Sequence, residues 1–179
     1  GAEYVEIPDS DVLSFGDGTD DRPFSVEAWV KMFDATYFMV VSKGVYGTDS
    51  EWNFFVGGVD NLSLEIFDEG ASAYEKAVMN SALTTYENQW IHVAFTYDGR
   101  GGASANAGIT LYVNGSSQAV TLSDTGTYVA MENHGHTVQV GRNNNDYADG
   151  KIDDVRIYSK ALSSDEVEKN YNAGKSKHS

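Results

Sequence analysis

Cysteine is absent from the 179 residues. Disulfides, zinc thiolate sites, iron–sulfur clusters and cysteine nucleophiles are thereby excluded. Proline occurs only twice, as Pro8 and Pro23. Basic residues are scarce: 12 Lys and Arg stand against 27 Asp and Glu, a net charge of -15. Such a surface repels phosphate backbones and anionic lipid and favours cations, so nucleic acid and membranes are poor partners for it. Long apolar runs are missing too. The longest, Tyr37 to Val41, falls far short of the ~20 residues of a membrane helix. The chain opens on Gly1 rather than Met, which reads as a piece cut from a longer protein.

What the chain does hold is a core's worth of apolar side chains, 41% hydrophobic and 12% aromatic. That suits one domain of this length. The apolar residues alternate over short runs separated by Gly, Asn and Asp, the pattern of β-strands with one buried face. Phe24, Val26, Ala28, Val30 and Met32 alternate with Ser25, Glu27, Trp29 and Lys31; Ile91, Val93, Phe95 and Tyr97 alternate with His92, Ala94 and Thr96. Ile109 to Val113 runs into Asn114-Gly115, a type I′ hairpin signal, so a returning strand is expected over residues 116–122. Further strands are expected near 4–7, 38–43, 52–56, 62–67, 75–79, 137–140 and 152–158. Both prolines flank such runs, where a sheet tolerates them.

One helix is expected, from Ser164 to Ala173. Ser163 and Glu166 have capping-box spacing, Leu162 and Val167 the spacing of a hydrophobic staple, and Gly174 suits a left-handed C-cap. Residues 175–179 read as a frayed tail and 99–108 as a flexible surface loop. Many strands, one late helix and no βαβ alternation predict an all-β antiparallel sandwich or jelly roll, one domain over 1–174.

Four blocks then resemble a known family: Phe24 to Lys31 (FSVEAWVK), Trp90 to Gly99 (WIHVAFTYDG), Leu111 to Gly115 (LYVNG) and Gly150 to Ser163 (GKIDDVRIYSKALS). They are similar, in order and over nearly the whole chain, to the laminin-G-like domains of the concanavalin A-like lectin/glucanase superfamily. The resemblance implies a jelly roll of two large antiparallel sheets. It also implies a calcium-binding, carbohydrate-recognising or adhesive module of a larger extracellular protein. The fold itself does not decide among lectins, glucanases and protein-binding modules.

Calcium takes six to eight oxygens. The loop Phe15 to Arg22 packs Asp17, Asp20 and Asp21 among glycines, and Asp153-Asp154 lies in the last strand region. In related glucanases an Asp of a similar last-strand segment binds calcium with carbonyls of the first strand and an early loop. By that resemblance Asp153 is the ligand here, with Pro8-Asp9 and Lys43-Gly44 as the carbonyl segments. Asp17, Asp20, Asp21 and Asp153 are therefore the expected metal ligands. Asp-rich loops equally form Asx-turns on their own backbone.

Asn143, Asn144, Asn145 and Tyr147 offer hydroxyl-binding amides and a ring for an apolar sugar face, and Asp146 and Asp149 stand in the same segment. Tyr46 is a further rim residue, whereas Trp52 reads as core. His134 and His136 have metal-capable chemistry but sit in a Gly-flanked loop, and His92 reads as structural.

Retaining hydrolysis needs two carboxylates about 5–5.5 Å apart. In the segment Glu65 to Glu69 alternation interposes Phe67, and four strand steps put Glu65 and Glu69 about 13 Å apart. The chain is thus expected to be non-catalytic. The alternatives are a structural or protein-binding module with a structural calcium, and a polysaccharide-acting enzyme. Asn61-Leu-Ser63 and Asn114-Gly-Ser116 are glycosylation sequons if the source is eukaryotic.

Overall fold

The computed structural model describes residues 3–178. The strands are β1 (Val5–Ile7), β2 (Phe24–Met32), β3 (Met39–Lys43), β4 (Trp52–Val56), β5 (Leu62–Asp68), β6 (Ala73–Met79) and β7 (Ile91–Tyr97). They continue as β8 (Ile109–Val113), β9 (Ser116–Ser117), β10 (Val120–Thr125), β11 (Val138–Val140), β12 (Arg142–Asn143), β13 (Asp146–Tyr147) and β14 (Gly150–Tyr158), and helix α1 (Ser164–Gly174) follows. Seven strands form one sheet in the order β1-β11-β3-β4-β5-β6-β10; five form the other, β14-β2-β7-β8-β9; β12 and β13 make a separate hairpin. All pairings are antiparallel. This is the sandwich that the alternation predicts.

Between the sheets lies one aromatic-rich core. Phe24 stacks on Phe15 at 4.2 Å and meets Phe95 edge-on at 5.0 Å, while Trp52 lies 5.6 Å from Phe24. Trp52 is fully buried, as expected of a strand-start core residue.

The other face of the five-stranded sheet departs from the sequence reading. Ser25, Glu27 and Trp29 alternate with the core residues of β2, yet all three are buried. The cover is α1 and the residues after it. The Ser163 side chain accepts from the Glu166 amide and Glu166 reaches back, completing the expected capping box. Leu162 and Val167 join Ala94 and Tyr112 in a second small apolar cluster on this face. Such a staple fixes the angle at which the chain enters the helix.

Gly174 is not a left-handed cap. The helix runs through it, and Lys175 follows with right-handed φ/ψ. Its glycine character answers a close approach instead: a Cβ there would lie 2.3 Å from Trp29 Nε1. Ala in place of a helical Gly ordinarily adds about 1 kcal/mol. Here we expect Gly174→Ala to lower the melting temperature by a few degrees, because Trp29 is held by stacking on Tyr171 and His178. An unchanged or higher melting temperature in a thermal scan would refute that packing argument.

Three further expectations are corrected. The returning strand over 116–122 is split. Asn114 and Gly115 take the positive φ of the turn (50° and 78°) and β9 pairs with β8. The chain then crosses over as β10 to pair with β6 of the other sheet. The 99–108 segment holds a 3₁₀ stretch from Gly102 to Gly108 with Ala105 and Asn106 buried, the Asn106 amide donating to Glu75. In the expected frayed tail, His178 is only 7% exposed. Its ring stacks on Trp29 at 4.4 Å, donates to the Gly174 carbonyl at 3.0 Å and meets Asp153 Oδ2 at 3.1 Å. Ser179 lies outside the described residues.

Candidate functional site

The outer face of the seven-stranded sheet carries a groove of about 300 Å³. Its floor follows from strand register. Asn53 on β4 stands opposite Ser42 of β3 on one side and Glu65 of β5 on the other, and Glu65 stands opposite Lys76 of β6. Cross-strand partners share a face, so a polar row crosses the sheet. Beside it runs a less polar row, Met39, Phe55 and Ser63. The opposite faces of these strands feed the core through Phe54, Leu64 and Ala77, which obliges the alternate residues to face outward.

Two loops roof this floor. The 44–51 loop carries Tyr46, 55% exposed, whose ring meets Phe67 edge-on at 5.9 Å. The β12–β13 hairpin descends from the other side. Its buried Asn143 donates from Nδ2 to Asn53 Oδ1 at 2.7 Å and accepts from the Tyr46 amide at 3.2 Å. Ser42 Oγ donates to the Arg142 carbonyl at 2.9 Å. Tyr37, with a positive φ of 53° and 57% exposure, forms the far rim.

On the floor, Lys76 Nζ lies 2.6 Å from Glu65 Oε1 and 5.3 Å from the centre of the Phe55 ring. Glu65 Oε2 is buried and has no hydrogen-bond partner among the described residues, an uncommon condition for a buried carboxylate oxygen. The Glu65 carboxylate and, second, burial push the Tyr46 phenol up, so it remains a protonated donor at neutral pH. The groove therefore combines apolar ring faces with a carboxylate, an ammonium and amides, groups that match the two faces of a sugar ring.

The expected site residues divide. Tyr46 and Asn144 line the groove, and Asn143 both lines and braces it. Asn145 sits exposed in the turn between β12 and β13. Tyr147 points elsewhere: it meets Tyr4 at 6.3 Å, and the Arg142 guanidinium packs on both rings, 5.5 Å from Tyr147 and 4.5 Å from Tyr4. Asn53, Phe55, Glu65, Lys76 and Tyr37 were not foreseen as site residues. No motif marks them, and only pairing register gathers them.

The four aspartates expected to hold calcium are not brought together. Asp17 Oδ1 accepts the amides of Thr19 and Asp20, at 3.0 and 2.9 Å, an Asx-type turn whose hydrogen bonds hold its carboxyl low. Asp20 is exposed. Asp21 accepts from the Tyr97 and Tyr128 hydroxyls and the Met131 amide, at 2.6, 2.8 and 2.7 Å. Burial outweighs these bonds and pushes its carboxyl up. Asp153 stands opposite Trp29, about 17 Å or more along β2 from the Asp21 loop, and is engaged by His178 and the Asp154 amide. Among the described residues no three His, Asp or Glu side chains gather as a metal site. His134 and His136 pair with Glu132 and Asp49 at 3.1 and 3.3 Å.

Glu65 is tied to Lys76 while Glu69 accepts the Ser50 amide at 3.1 Å, with Phe67 between them on the chain. The sequon asparagines both have structural work: Asn61 donates to the Met79 carbonyl, and Asn114 accepts the His92 amide.

Comparison with known proteins agrees with this architecture. A family model described as the concanavalin A-like lectin/glucanases superfamily matches residues 1–168. No curated protein gives a significant match. Among solved structures, domain 4 of AbnA, a GH43 extracellular arabinanase from Geobacillus stearothermophilus in complex with arabinotriose, superposes with a TM-score of 0.62 at 21% identity, over 94% of this chain and 81% of that one. The heptameric SAP-like pentraxin from Limulus polyphemus gives 0.53 at 16%, over 92% and 79%. The binding domain of botulinum neurotoxin serotype D gives 0.64 at 17%, over 97% of this chain but 41% of that one. At these identities the likeness is one of fold.

Proposed function

The chain belongs to the concanavalin A-like lectin/glucanases superfamily, in its laminin-G-like branch, and from that premise we propose that it is a non-catalytic carbohydrate-recognition module whose ligand occupies the outer groove. The observation that carries this reading is the polar row of buried Asn53 and Glu65 with half-buried Lys76, under a two-loop roof with Tyr46 and Tyr37 exposed at the rim. A sugar hydroxyl both donates and accepts, so it suits a carboxylate–ammonium pair. A hydroxyl reaching Glu65 would supply the donor its Oε2 lacks. The ring's C–H face suits the aromatic rim. The volume, about 300 Å³, is at the lower end for ligand sites and fits the end of an oligosaccharide rather than a long chain. The net charge of -15 favours neutral over anionic glycans. The arabinotriose complex of the arabinanase domain is a supporting likeness. That domain comes from an extracellular protein, and an extracellular setting within a larger chain belongs to the same proposal.

A glycan array in calcium and in EDTA tests the reading. We expect neutral-glycan hits in both buffers. Tyr46→Ala should weaken them about tenfold or more, the loss typical of a central aromatic anchor, without changing the melting temperature by more than a degree or so. A blank array, or hits that Tyr46→Ala leaves intact, would sink the reading and favour a structural or protein-binding role.

A further inference from the structure

Lys43 closes β3 on the core side of the sheet, opposite Trp52, and its side chain has no exposure. Its Nζ lies 2.6 Å from Asp9 Oδ1, 3.2 Å from Glu51 Oε1, 2.7 Å from the His136 carbonyl oxygen and 3.3 Å from that of His134. Two carboxylates and two peptide carbonyls, drawn from three separate segments, make a hard-oxygen cage of the donor type that calcium takes, with water left to complete its six to eight ligands. A second, independent feature points the same way. Glu51 is fully buried, and its Oε2 has no hydrogen-bond partner among the described residues. The cage thus holds more acceptor capacity than one ammonium fills. Without the ammonium, two carboxylates would face one another, the charge that one divalent cation neutralises.

We propose that the Lys43 ammonium is a tethered, built-in cation filling an oxygen cage that would otherwise take a divalent metal ion. The resemblance implies carbonyls of the Pro8-Asp9 and Lys43-Gly44 segments around a calcium held with Asp153; here the two segments meet instead through the Asp9 and Lys43 side chains, and the cation between them is supplied by the chain. Lys43 and Glu51 are also the two feet of the loop that carries Tyr46, joined by the Glu51 amide donating to the Lys43 carbonyl at 2.9 Å. The cage therefore fixes the base of the groove's roof without metal. The inference does not rest on the ligand reading, since its test reads stability and metal uptake.

Thermal scans of the whole chain are run in EDTA and in millimolar calcium. For the unaltered protein we expect melting temperatures equal to within about 1 °C, because an ion that does not bind the native state does not stabilise it. Lys43→Met in EDTA should melt about 10 °C lower, as expected when one partner of a buried pair is removed. Calcium should restore about half of that or more, with one ion bound by calorimetry. The double variant Lys43→Met/Glu51→Gln should lose the calcium response. A rise of several degrees with calcium in the unaltered protein would overturn the proposal. So would a folded Lys43→Met indifferent to calcium, or one insoluble in both buffers.

Discussion

Glu27→Ala is expected to melt about 10 °C below the unaltered protein. Glu27 is 1% exposed on the outer face of β2. Its Oε1 accepts from Arg156 Nη1 and the Tyr158 hydroxyl, each at 2.9 Å, and its Oε2 accepts from Asn170 Nδ2 at 3.1 Å, with His92 Nε2 at 3.6 Å. These partners come from β7, β14 and α1, so one carboxylate fastens the helix to the sheet. Removing one side of a buried charged network costs about 3–5 kcal/mol. At about 2–4 °C per kcal/mol for a chain of this size, the shift is of order 10 °C. Glu27→Gln, which keeps an acceptor, should lose less.

The same residue predicts a pH dependence. Burial alone would push the Glu27 carboxyl up, but the nearby His92 imidazole and hydrogen bonds from Asn170 and Tyr158 outweigh it and hold it below the usual Glu range. The folded state therefore binds fewer protons than the unfolded one. The contribution of Glu27 is complete above the unfolded value, about 4.3, and is lost as pH falls through the lower folded value. Unfolding free energies measured by denaturant from pH 3 to 6 should fall in acid for the unaltered protein, and less steeply for Glu27→Gln. Parallel curves would contradict the assignment.

The second large effect is on ligand binding. Asn143→Ala removes the one side chain that, among the described residues, joins floor and both roof loops, leaving Asn53 Oδ1 and the Tyr46 amide without their partners at 2.7 and 3.2 Å. A buried group left unsatisfied costs about 1–3 kcal/mol. If that cost falls on the roofed conformation that holds ligand, affinity drops about 30-fold or more, at 1.4 kcal/mol per decade. Glycan titration calorimetry on Asn143→Ala beside Tyr46→Ala checks it. Because Asn143 acts through Tyr46, the double variant should lose little beyond the larger single loss. Fully additive losses would show that the two act separately.

How far the site was legible can be judged residue by residue. Tyr46 stood out because an aromatic beside glycine in a polar loop is conspicuous, and the Asn-rich segment 143–145 because turns seldom carry three amides. Asn143 then proved a brace and Tyr147 a partner of Arg142. Both roles depend on neighbours distant in the chain. Glu65 and Lys76 drew no notice as a pair, since nothing local tells a polar residue on an outward strand face that its cross-strand neighbour carries the opposite charge. Likewise, Asp17, Asp20 and Asp21 crowd the sequence without pointing at one another.

The sequence by itself determined most of the strands, the sandwich class, the capped C-terminal helix and the family. Those rest on period-two alternation, the Asn114-Gly115 turn, the Ser163–Glu166 box and the four matching blocks, all signals carried by residues within a few positions of each other. The tertiary structure alone decided that β10 leaves its hairpin for the other sheet, that Ser25, Glu27 and Trp29 are covered, that His178 packs down, and that Asp9, Lys43 and Glu51 share one cage. The physical reason is range. Alternation tells each strand which face is apolar, but cross-strand register and the docking of covering segments depend on contacts between residues tens of positions apart.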